Sequence, residues 1–311
     1  MKNQILGKVS PKHILEIKEL FSRFEAVELH LEPNDVFDES EMAAKQITKA
    51  HEFIDVPIFH APMTNQKGQY VMIGMLDEQK RKSFREVVIA TLDLIQATRG
   101  QKETYMVVHP GENINADQIE QIDRQKIHDI FKDDLNYMLD YIDKQHLNVH
   151  LCIENLTILS VEDNGAFYRT YGFDTELIKW VEDFNHPMVG LTLDICHLMS
   201  TCRYPLHYEP EAYRVTNLYI ALNEFIASPA LKMIHLANCH YFGLNKDEHG
   251  CCFDSNDMED IFFLNRFLEA ASKVPHVKIT LELNEKNHAY PINKVNTYKL
   301  ICRICDEKSI N

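Results

Sequence analysis

Eight short apolar segments of this 311-residue chain are each followed by a stretch with helical periodicity, and that alternation leaves few folds open. The strand patterns fall at residues 5–9, 26–31, 57–61, 105–109, 148–154, 188–194, 232–236 and 277–283. Apolar residues recur at helical spacing from Leu15 to Phe24 behind Ser10-Pro11, then over 39–53, 77–99, 116–144, 177–184, 217–225, 257–271 and 294–305. Residues 195–216 are less regular. Strict alternation of this kind predicts parallel strands joined by right-handed crossovers, and eight such units close a barrel. The expected fold class is therefore α/β, a single (β/α)8 TIM barrel. No Pro-, Gly- or Ser-rich linker interrupts the chain, so residues 1–311 are expected to form one domain.

The segment Leu191 to His197, LTLDICH, shows what the strands do at their ends. Alternate residues of a strand face opposite sides, so Leu191, Leu193 and Ile195 share one face, and Thr192 and Asp194 the other. In a parallel barrel the outer face packs on helices, while the inner face ends in the mouth where active sites lie. Counting back from each strand's terminal polar residue puts Ile153, Leu151, Leu193, Leu191, Ile234, Leu281, Ile279, Val108 and Met106 on the helix-facing side. His60, His109, Glu154, Asp194, His235 and Glu282 then all point inward at the carboxyl ends of six strands.

Six imidazoles and carboxylates converging on one mouth would be costly to bury without a compensating cation. The mixed N/O set suits zinc, manganese or iron; an all-oxygen set would suit magnesium or calcium. Three further candidates lie just past strand ends: His197, three residues after Asp194, and the D-x-H pair Asp247 and His249. Nine ligands exceed the needs of one ion. With carboxylate bridging they can serve three.

The series FHAP, VVHPG, CIENL, LDICH, IHLAN, KDEHG and LELN resembles the xylose isomerase-like barrels, and within them the endonuclease IV family, trinuclear zinc phosphodiesterases that cut DNA at abasic sites. The resemblance implies that His60 and His109 share one zinc with Glu154. It implies that Glu154, Asp194, His235 and Glu282 serve a second, and that His197, Asp247 and His249 hold a third. The order along the chain agrees from the third strand to the eighth, as does the spacing of His235 and the D-x-H pair. The stretches after Val27–Leu31 and around HAPMTNQ do not match that family's DNA-probing loops, and GCCFD after His249 lacks its glycine-rich continuation.

The net charge of -15 offers no overall attraction to nucleic acid or to an anionic membrane surface. Residues 1–10 lack the apolar run of a signal peptide, no segment approaches a membrane span, and a cytoplasmic location is expected. Eight cysteines with one C-x-x-C, Cys302 and Cys305, form neither a disulfide framework nor a zinc knuckle, and that pair is expected on the apolar side of the last helix. Glu28 and His30 share the inward parity of the second strand, as substrate contacts or as a pair bonded to each other. Lys246 and Arg203 are candidate phosphate contacts, and His240, Cys239 and Tyr241 near the mouth have no assigned role.

Two activities fit these residues. One is phosphoester hydrolysis by two or three zinc ions, with Glu154 positioning water, Glu282 or Asp194 assisting, and a nucleic acid, nucleotide or sugar phosphate as substrate. The other is isomerisation or epimerisation of a sugar or sugar phosphate at a single divalent ion, with Glu154 and Glu282 exchanging a proton.

Overall fold

In a computed structural model of the protein, eight parallel strands close a barrel with helices between them. The structure describes residues 4–17, 24, 26–115, 121–156, 159–162, 165–169, 174–203, 218–239, 242–243, 246–247, 249–287 and 290–309. The barrel strands are β1 (Ile5–Val9), β2 (Ala26–His30), β3 (Asp55–His60), β4 (Thr104–Val108), β5 (Val149–Glu154), β6 (Val189–Asp194), β7 (Leu231–Leu236) and β8 (Lys278–Leu281). Each pairs with its neighbours in sequence, and β1 closes the ring onto β8 with Gly7 opposite Leu281.

The helices on the outside are α1 (Ser40–Ala50), α2 (Glu78–Arg99), α3 (Arg124–Lys144), α4 (Asp174–Phe184), α5 (Ile195–Arg203), α6 (Leu218–Ala227), α7 (Met258–Ala271) and α8 (Ile292–Ser309). Their ends carry chemical stops. Asp77 accepts from the Lys80 amide at 2.8 Å at the start of α2, and Gly100 closes that helix with a φ of 59°. Asp257 accepts from the Glu259 amide at 2.8 Å at the start of α7.

Three expected elements differ. The helix expected over 116–144 begins at Arg124, because Asp123 accepts from the Lys126 amide at 3.1 Å and caps it there; residues 116–120 lie outside the described ones. Of the helical run from Leu15 to Phe24, the described part shows only a 3-10 turn at Pro11–His13 and turns to residue 17, and 18–23 lie outside the described residues. The stretch after β6, expected to be irregular, opens directly into α5. The cause is Asp194, whose carboxylate accepts from the His197 amide at 2.5 Å and so caps the helix.

Parity along the strands divides the interior as the alternation requires. Met106, Val108, Leu151, Ile153, Leu191, Leu193, Ile234, Ile279 and Leu281 join the main core between strands and helices. Leu6, Ala26, Ile58, Val107, Cys152 and Met233 form a separate apolar plug inside the barrel. Burying a side chain of this size stabilises by about 1.5–3 kcal/mol, and the plug gives the mouth above it a dry floor. Gly190, on the inward row of β6, is required by close approach: a Cβ there would lie 2.4 Å from the Lys232 Cγ and 2.7 Å from the Ala230 carbonyl oxygen.

Candidate metal centre

Directly above the plug, the inward row turns from apolar to ionic. Lys8, Glu28, His60, Glu154, Asp194 and His235 come from β1, β2, β3, β5, β6 and β7, while His109 and Glu282 sit one residue past β4 and β8. Register staggers them by two residues between some neighbours: Lys8 pairs with Glu28 and His235 with Asp194, whereas His60 pairs with His30 and Glu154 with Thr192. His60, His109, Glu154, Asp194 and His235 are buried, and His197 and His249 are partly exposed.

Glu154 is the hub. Its Oε1 lies 3.4 Å from the His109 Nε2 and 3.4 Å from the His197 Nδ1. Its Oε2 lies 3.3 Å from the His60 Nε2 and 3.1 Å from the His235 Nδ1. Four overlapping groups place ligand atoms within 4.8 Å of one another: Glu28, His60 and His235; His60, His109 and Glu154; Glu154, Asp194, His235 and Glu282; and Asp194, His197 and His249. The structure therefore brings together eight of the nine sequence-predicted ligands. Asp247 is the exception: its backbone pairs with Phe242 in a short antiparallel ribbon, and its side chain lies outside what is described.

The donor chemistry fits a metal. The Asp194 Oδ2 is buried without a hydrogen-bond partner, and the buried Glu154 Oε2, Glu282 Oε2, His60 Nε2 and His235 Nδ1 face only one another, at 2.7, 3.1 and 3.3 Å. Orphaned atoms of this kind cost about 1–3 kcal/mol each, more when charged, unless a cation fills the space between them. Glu28 accepts from the His235 Nε2 at 3.0 Å, which turns Nδ1 towards Glu154 and Glu282. The Asn155 carbonyl lies 2.8 Å from the His197 Nδ1, so that nitrogen carries the proton and Nε2 is left to coordinate.

Electrostatics follow from burial and from these neighbours. Burial and the nearby Lys8 ammonium push the His60 pKa down to about 3, and burial also lowers His109, so both imidazoles are neutral at neutral pH. Burial would raise the Glu28 pKa, but His235 and Lys8 outweigh it and hold the carboxyl at about 2. Glu154 and Glu282 are also held well below the usual carboxylate range, against burial, by the cations around them. His235 goes the other way. Burial opposes its charge, yet Glu28, Glu154 and Glu282 together raise its pKa well above the ordinary value.

Two contributors escaped the sequence reading, and a third pair is corrected. Lys8 donates to the Glu282 Oε1 at 2.7 Å and lies 3.4 Å from the Glu28 Oε1; the parity of ILGKV was the signal for it. Asn155 accepts from the Asp194 amide at 2.6 Å and donates to the Asp194 carbonyl at 3.1 Å, tying the ends of β5 and β6. Glu28 and His30 do not pair with each other: Glu28 serves His235, while His30 reaches Glu32 at 3.3 Å. The Arg203 side chain, His240 and Tyr241 lie outside the described residues, as does the Lys246 side chain; Cys239 is buried. Cys302 and Cys305 lie on α8, both partly buried, and Cys305 packs against the main core. Among the described residues no helix is long and apolar enough to cross a membrane.

Similar folds are known. A D-tagatose 3-epimerase-like protein is 17% identical with a TM-score of 0.66, over 98% of this chain and 99% of that one. The IolI protein, solved with a zinc atom, is 13% identical with a TM-score of 0.65, over 98% of each chain. A family 2 AP endonuclease from Brucella melitensis is 17% identical with a TM-score of 0.58, over 95% of this chain and 99% of that one. No curated protein matches the sequence. A sequence profile of the family described as "Xylose isomerase-like TIM barrel" matches residues 22–293, most of the chain. With a closed eight-stranded barrel around the matched segment, this protein belongs to the xylose isomerase-like TIM barrel family.

Proposed function

We propose that the protein is a metal-dependent phosphoester hydrolase with two or three zinc ions held by His60, His109, Glu154, Asp194, His197, His235, Asp247, His249 and Glu282. The observation that carries this reading is the sharing of Glu154: its Oε1 faces the His109 Nε2 while its Oε2 faces the His60 Nε2 and the His235 Nδ1, donors from three different strand ends on its two oxygens, the arrangement of a bridging carboxylate. A lone ion has no use for His60, His109, His197 and His249 in addition to Glu154, Asp194, His235 and Glu282. Zinc at such a centre supplies a water acidified to neutral pH and neutralises charge on the phosphate.

The protein's own groups would divide the remaining work. Glu154 accepts a proton from, or orients, the attacking water, because it is held ionised at the centre of the cluster. Asp194 joins the two halves, its Oδ1 3.5 Å from the His197 Nδ1 and its Oδ2 3.7 Å from the His249 Nε2. The apolar plug keeps bulk water from beneath. The acidic chain and the unmatched probing loops favour a small nucleotide or sugar phosphate over a nucleic-acid strand. The test is metal content on protein purified without chelator, together with a panel of nucleotides, sugar phosphates, phosphodiesters and abasic DNA. Two or three zinc ions per chain and chelator-sensitive release of phosphate or alcohol are expected; one ion and no hydrolysis would overturn the reading.

One observation favours a second activity, sugar isomerisation or epimerisation. Glu154 and Glu282 approach the same His235 Nδ1, at 3.1 and 2.7 Å, and so face one small space in which two carboxylates can exchange a proton with a substrate carbon. Incorporation of deuterium from heavy water into a ketose, with a single bound ion, would identify that chemistry.

A further inference from the structure

Beside the metal centre lies a cavity of about 260 Å³ over β1, β2 and the start of α8. Its lining includes His249 and Glu282, proposed metal ligands, the three lysines Lys8, Lys12 and Lys294, and a second carboxylate, Glu32. Two of these lysines are buried, with 8% and 4% of the Lys8 and Lys294 side chains exposed. An ammonium carries three donors. Lys8 uses one in its bond to Glu282 and lies 3.4 Å from the Glu28 Oε1, and Lys294 uses one on the Leu283 carbonyl at 2.7 Å, with Glu285 a longer 3.7 Å away. Lys12, exposed at the rim, makes no hydrogen bond or ion pair among the described residues.

Buried ammonium groups with donor capacity to spare, facing a half-open cavity, favour an anionic acceptor. Glu282 and Glu28 answer Lys8 in the metal-free protein. A divalent ion that draws on the Glu282 charge would leave Lys8 facing the cavity as a cation. At about 260 Å³ the space lies just below the range of small-molecule sites, and is far too small for a nucleic-acid strand.

We infer that this cavity is an anion subsite, in which Lys8, Lys12 and Lys294 hold a second acidic group of a small substrate whose reacting phosphoester lies at the metal centre. The substrate class is a compact metabolite with two anionic ends, the remote one a phosphate or a carboxylate. This rests on the phosphoester reading of the centre, but it assigns different residues and is tested separately.

The experiment is calorimetric titration of zinc-loaded protein with propylphosphonate and with propane-1,3-bisphosphonate, neither of which can be hydrolysed. The bisphosphonate should bind at least about tenfold more tightly, the scale of one charge-assisted hydrogen bond. Lys12→Ala should cut that advantage and Lys12→Glu remove it, with zinc content and propylphosphonate affinity unchanged. Lys294→Gln should also cut it, and a melting curve will tell whether that variant folds; the exposed Lys12 variants decide the matter if it does not. Replacing the remote phosphonate by a carboxylate distinguishes the two acidic groups. Equal affinity for both probes, or an advantage unaltered in Lys12→Glu, overturns the subsite. Loss of propylphosphonate binding with a surviving lysine-dependent affinity for the bisphosphonate would sink the phosphoester reading and leave the subsite standing.

Discussion

The Glu28 Oε2 accepts a hydrogen bond from the His235 Nε2 at 3.0 Å, joining two strands that are 207 residues apart in sequence. Neither group reaches solvent. The contact fixes which imidazole nitrogen turns towards Glu154 and Glu282, and it makes that nitrogen more basic.

Weakening that contact should weaken metal binding without unfolding the barrel. Glu28→Gln keeps the shape but loses the charge, and zinc affinity is expected to fall by about 10- to 100-fold. Titration against a competing chelator measures it; an unchanged affinity would show that Glu28 has no part in holding the ion.

The two halves of the site should come apart by mutation. Asp194→Asn removes charge from the shared ligand and should lower both metal content and turnover by about 100-fold or more. His197→Ala should remove one ion per chain and leave the set around His235 loaded. Elemental analysis of the two variants beside the parent reads this directly. An unchanged ion count in His197→Ala would contradict a third ion.

Metal binding should expel protons. His235 has its pKa raised by Glu28, Glu154 and Glu282, so in metal-free protein at pH 7 it is an imidazolium, whereas His60, lowered to about 3, is already neutral. Zinc must therefore displace the His235 proton but none from His60. Affinity should rise with pH across neutrality, by up to about tenfold per unit. Calorimetry in buffers of different ionisation enthalpy counts the protons, and a count of zero would refute the assignment.

The inward glycine of β6 should not tolerate even a methyl group. Gly190→Ala would press its Cβ on the Ala230 carbonyl as well as on the Lys232 stem, and a backbone atom cannot swing aside. The expected cost is about 1–3 kcal/mol, seen as a lower Tm in a thermal melt. A variant as stable as the parent would mean that β6 and β7 separate freely at this level.

Much of this was legible in the order of residues alone. Period-two and helical patterns determined the eight strands and most of the helices, and parity determined which side chains face inward. His60, His109, Glu154, Asp194, His235 and Glu282 could be picked out because each ends its own strand, and any eight-unit barrel gathers strand ends in one mouth. Capping was harder to read. Asp194 serves as an inward carboxylate and also as the N-cap that starts α5, and the one chemistry masked the other.

What only the tertiary structure decided is who faces whom across the barrel. Lys8 could as well have been a solvated lysine near the chain's start, and Glu28 a partner of its neighbour His30. Closing β1 against β8 brought Lys8 to Glu282, the register of β1 on β2 set it opposite Glu28, and the convergence of the strands across the mouth brought Glu28 to His235. The reason is physical: strand parity is local and repeats every two residues, whereas register between strands is set by closure of the whole ring. A carboxylate's partner is therefore fixed by distances that no short stretch of sequence contains.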